Sequence, residues 1–169
     1  MSEFEENARK LRELHTKIHA TFANRDNGTN ELIEWEKACK DFHEQYNDLA
    51  FPGGLDKQQM QLDKLEPHAI EMAIQFLEAD PWFFRSGYLK TVFTRRLKRA
   101  SLTEDQILRL NIVILSMVKC EGRRELRSFC RLARAIQTPK LLSDIHNLAE
   151  SPDEGISRRA NFMLDIINS

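Results

Sequence analysis

The chain has 169 residues, 41% of them apolar and 30% charged, with a net charge of −1. That length suits a single domain with a core of its own, and the composition excludes a disordered chain. No apolar run is long enough to span a bilayer, the acidic start MSEFEENARK does not read as a secretory signal, and three scattered cysteines (Cys39, Cys120, Cys130) form neither a disulfide framework nor a zinc-finger spacing. These features predict a cytoplasmic protein with reduced thiols, no membrane partner and no cofactor.

In chain order, Ser2 and Glu5 make a capping box. Phe4, Ala8, Leu11, Ile18 and Phe22 then recur at helical spacing to about Arg25. Asp26-Asn27-Gly28 is turn chemistry, and Asn30 can cap a second helix. Its apolar seam is Leu32, Trp35, Cys39, Phe42, Tyr46 and Leu49, heptad-like in spacing. Two helices with a short link predict an antiparallel αα-hairpin over 3–50. Phe51-Pro52-Gly53-Gly54 ends it, and 55–65 fits a short helix or a loop. Pro67 suits the first turn of a helix to Ala79. Asp80 then reads as a cap with Pro81 at the first helical position, and Trp82 as a core anchor.

Ser86 restarts the chain, with Tyr88 or Leu89, Val92, Phe93, Leu97 and Ala100 inward. Thr103 and Gln106 make a second capping box before ILRLNIVILSMV, a run apolar on almost every side and so expected to be buried all round. Gly122 breaks it. Leu126, Phe129, Cys130, Ala133 and Ile136 define the next helix, Thr138-Pro139 starts another, and Ser151-Pro152-Asp153-Glu154 starts the last. The helices form three pairs: 66–79 with 86–99, 104–120 with 124–136, and 139–150 with 153–168. Pairs at this spacing predict a short α-solenoid. The expected architecture is one all-α domain, 1–169, in which the hairpin packs on an α-α superhelix over 66–169.

The tail SPDEGISRRANFMLDII resembles the second helix of a HEAT repeat, with Pro152, Asp153, Ile156, Arg159, Ala160, Leu164 and Ile167 at the positions that pattern favours. The resemblance implies stacked helix pairs and a scaffold or protein-binding role rather than a chemistry. The segment FLEADPWFFRSGYLK is similar to bacterial helical proteins and carries over no function.

Charge is divided unevenly. Residues 1–80 hold 9 basic and 17 acidic side chains, net −8; residues 85–140 hold 14 and 4, net +10. Arg123, Arg127, Arg131 and Arg134 follow one another at helical spacing, and Arg95 and Arg99 do the same on the helix over 86–99. Like charges so placed repel, and Arg suits bidentate contacts to carboxylate or phosphate. With Trp82 and Arg159 these form the expected binding face. The expected function is non-enzymatic: a module whose basic face holds an acidic protein partner, or one neutralised by the acidic hairpin. The alternative is nucleic-acid binding, in its specific form a HEAT-like DNA glycosylase using Asp80, Trp82 and Tyr88. His15 and His19 stand one turn apart, with Glu36 opposite, but lack a third metal ligand. No catalytic triad or nucleophile motif is present.

Overall fold

The computed structural model describes residues 2–169, and these are all-α. Among the described residues there are nine helices: α1 (Glu3–Phe22), α2 (Thr29–Ala50), α3 (Leu55–Asp63), α4 (Pro67–Ala79), α5 (Ser86–Leu97), α6 (Glu104–Lys119), α7 (Leu126–Ile136), α8 (Pro139–Ala149) and α9 (Glu154–Asn168). None is long and apolar enough to cross a membrane. The helix starts follow local chemistry. Ser2 and Thr103 each accept from the backbone three residues on, and Glu5 and Gln106 reach back to complete both boxes. Thr138 and Asp153 cap α8 and α9 in the same way. The second helix differs from expectation. It starts at Thr29 behind Gly28, with no side-chain cap, so Asn30 lies inside it.

The chain divides into two compact units. The first comprises Met1–Gln61 and Ala79–Ser86. Here α1 packs along α2, burying Phe4, Ala8, Leu11, Ala38 and Phe42. Burial fades toward the turn, where Phe22, Leu32 and Ile33 are exposed. At the other end Phe51 meets Phe4 edge-on at 5.4 Å, and Gly53 and Gly54 take φ of 80° and 97°, which side chains disfavour.

The segment 80–85 joins this unit and is not helical. Asp80 and Arg85 both stand in left-handed backbone, φ 44° and 68°, so Asp80 does not cap a helix at Pro81. The hairpin holds the segment by its backbone: the Arg12 guanidinium donates to the Trp82 carbonyl at 2.7 Å, and the Tyr46 hydroxyl to that of Phe84 at 3.1 Å. Phe84 stacks on His15 with ring centres 4.8 Å apart and meets Phe42 edge-on. Phe83 is the buried member of the run; Trp82 is 68% exposed, contrary to its expected place in the core. The grip is on the Trp82 carbonyl, so its indole is left outward.

The second unit comprises Leu62–Glu78 and Gly87–Ser169. Phe76 of α4 and Phe93 of α5 are both fully buried and meet edge-on at 5.1 Å. Helix α6 packs on α7, α8 and α9, α8 on α9, and α9 on α7. This arrangement is compatible with stacked helix pairs. Burial of the α6 core positions Leu110, Ile114, Met117 and Val118 is nearly complete. The helix is not covered all round, however: Leu108 and Ile112 are well exposed.

Candidate functional site

The geometry that matters lies in the second unit, between α5 and the start of α7. Gly87 in the first turn of α5 lies beside Glu125, so that a methyl group added to it would come within 3.3 Å of Glu125 Oε2. Further along, Thr94 Oγ1 and Ser128 Oγ meet at 2.5 Å. The two helices thus set out from the same end. Between them is an open cleft of about 160 Å³, lined by Thr91, Arg95 and Lys98 on one side and Arg124, Glu125, Arg127, Ser128 and Arg131 on the other. Residues 91, 95 and 98 form one helical stripe, and 127, 128 and 131 another.

The cleft presents five cations and one carboxylate. Glu125 is buried and lies 3.5 Å from the Arg123 guanidinium, at the N-terminal end of α5 where backbone N–H groups favour an anion. Among the described residues of this unit, no side chain pairs with or hydrogen-bonds to the side chains of Arg95, Lys98, Arg124, Arg127 or Arg131. Elsewhere in the unit arginines do find carboxylates. Arg96 pairs with Asp63 and lowers its pKa by hydrogen bonding, and Arg109 is bidentate to Glu78.

The hydroxyl protons in the cleft are already committed. Thr91 donates to the Gly87 carbonyl at 3.0 Å. Thr94 donates to the carbonyls of Lys90 and Thr91, so its contact with Ser128 uses the serine proton. What remains to be offered is positive charge: four guanidinium forks and one ammonium.

The structure therefore brings Arg95, Arg127 and Arg131 together and places the other expected site residues elsewhere. Arg99 is exposed beyond the end of α5, off the cleft. Arg123 turns to Glu125, and Arg134 Nη1 lies 3.5 Å from Ser169 Oγ. Arg159 donates to the carbonyls of Val118 and Lys119, closing the C-terminus of α6. Trp82 belongs to the other unit.

Sequence reasoning passed over Lys98, Arg124, Glu125, Thr91 and Ser128. The signal was the pair of stripes. It was misphased because α7 begins only at Leu126, so Arg123 and Arg124 lie in the preceding turn and do not continue the helical ladder.

Neither a cysteine nor a histidine lines the cleft. Cys130, one turn from Arg127, is buried, and burial pushes its thiol up to about 12 despite the nearby charge. His15 and His19 meet edge-on, 4.7 Å apart, among aromatic rings. Among the described residues no three His, Cys, Asp or Glu side chains form a metal-holding cluster.

Fold and cleft together describe an all-helical protein carrying a compact cationic groove. No family model, curated protein or solved structure matches the chain.

Proposed function

We propose that this chain is a non-enzymatic, cytoplasmic binding module that grips an acidic segment of a protein partner in the cleft between α5 and α7. In this reading the pairs over 66–169 form a short HEAT-like stack, and the groove is its binding face. One observation carries it: five cations converge on one small groove that holds a single carboxylate, Glu125. Neighbours such as Arg127 and Arg131 repel by a few tenths of a kcal/mol each, a cost that an incoming anion removes. Arg is the residue suited to such a contact, because its fork fits a planar or tetrahedral anion through two donors.

The test is charge reversal. Arg127→Glu with Arg131→Glu in the full chain should abolish retention on an immobilised acidic peptide while leaving the melting curve in place. Wild-type binding should weaken as salt rises. Wild-type chain that ignores acidic peptide but is retained on duplex DNA or heparin at low salt would replace this reading with the nucleic-acid one.

A further inference from the structure

The geometry points to a phosphate monoester as the group that this cleft takes, an inference that rests on the binding reading above and narrows it. Capacity is the first argument. A volume of about 160 Å³ lies below the several hundred Å³ of pockets that enclose a whole small molecule, and matches one compact head group carried on something longer.

Charge is the second. Five cations face a single carboxylate. A carboxylate from a partner adds one negative charge and two oxygens. A phosphate monoester adds nearly two charges and three strong acceptor oxygens. Donor placement points the same way. Arg95 and Lys98 form one wall and Arg124, Arg127 and Arg131 the other, so a tetrahedral anion meets donors on two sides at once. Because the hydroxyl protons of Thr91, Thr94 and Ser128 are used internally, recognition falls to the charged forks alone. Glu125 sets the limit. Its buried carboxylate repels any entering anion, so the group that enters must carry charge and acceptor oxygens enough to offset it, which a phosphate monoester does better than a carboxylate. The source that fits the protein-partner reading is a phosphorylated serine or threonine.

The experiment titrates the full-length, isotope-labelled chain with capped phosphoserine, capped glutamate, inorganic phosphate and a short oligothymidylate at one ionic strength. Amide shifts are followed at Arg95, Lys98, Arg124, Arg127 and Arg131. Capped phosphoserine is expected to bind at least about tenfold tighter than capped glutamate. Its affinity is expected to fall between pH 7 and pH 5, as the phosphate takes its second proton near a pKa of about 6. No histidine lines the cleft to mimic that profile. Inorganic phosphate should move the same amides, since the chemistry is shared. Arg127→Lys with Arg131→Lys keeps the charge, removes two of the four forks and should reduce the preference severalfold; an unchanged preference would count against the forks as its source. Equal binding of capped glutamate would overturn the phosphate inference and leave the acidic-partner reading standing. Oligothymidylate binding tighter than capped phosphoserine, or no shift with any anion, would overturn both.

Discussion

The guanidinium of Arg109 reaches from α6 to two carboxylates of α4, at 2.7 Å to both oxygens of Glu78 and 2.8 Å to Glu71. It is three-quarters buried, and its partners hold it protonated at any accessible pH. Burial alone would raise the Glu71 carboxyl, but hydrogen bonds from Arg109, Gln75 and Gln106 bring it below its ordinary value. A carboxyl lowered on folding stabilises the fold above the unfolded value of about 4.3 and loses that contribution as pH falls through the folded value. Glu71→Gln should therefore flatten the drop in urea midpoint between neutral pH and acid, and a variant that kept the wild-type slope would show that this contact is not its source. Arg109→Met should cost about 1–3 kcal/mol in the same assay, since two carboxylates lose their donor. None of this was legible in the sequence, where Arg109 sits inside an apolar run. Nor was the choice of Arg124 over Arg123 for the cleft, which depends on a turn whose phase the periodicity of α7 does not carry.

At the scale of elements, capping chemistry told the most. Ser2, Thr103, Thr138 and Asp153 were readable as helix starts because a cap needs only its own side chain and the next three residues. The 80–85 segment was misread for the opposite reason. Its backbone is set by Arg12 and Tyr46, 70 and 38 residues away, and no local pattern announces that. Burial, with a smaller push from neighbouring His19, lowers the His15 pKa, so His15 stacks on Phe84 in its neutral form. The facing groups are His19 on α1, Phe42 on α2 and the Phe84 ring. A histidine lowered on folding stabilises above its unfolded value of about 6.5 and loses that as pH falls below it. Acidification through this range should thus weaken the first unit, read as a falling urea midpoint with a matching change in the emission of exposed Trp82. His15→Phe keeps the ring, abolishes the titration and should remove the slope. Persistence of the slope in that variant would place the titrating group elsewhere.

For the molecule as a whole, all-helical character and most helix bounds were legible, because eight of the nine helices among the described residues are periodic segments with readable starts or stops, whereas 55–65 fitted a helix or a loop equally. The division into units was not. Residues 79–86 lie between two stretches of the second unit yet belong with the first, where Arg12 and Tyr46 of the hairpin bond to their backbone. Deleting residues 2–50 should accordingly do more than remove a hairpin. It strips the Trp82 carbonyl of Arg12, and Phe83 and Phe84 of His15, Phe42 and Tyr46, leaving two large rings uncovered. The truncated chain is expected to bind hydrophobic dyes or aggregate, and a monomeric, dye-silent fragment would show that the segment is content without the hairpin.

That discontinuous membership has a consequence for how the protein comes into being. A ribosome releases the hairpin well before it releases Phe83 and Phe84, because about thirty residues separate them along the chain. The paired helices can zip together early from contacts close in sequence, but their aromatic surface stays wet until a later stretch arrives to cover it. Completion of the hairpin's unit waits on translation of a stretch roughly thirty residues further on, so its contacts cannot all be made while the hairpin alone is out.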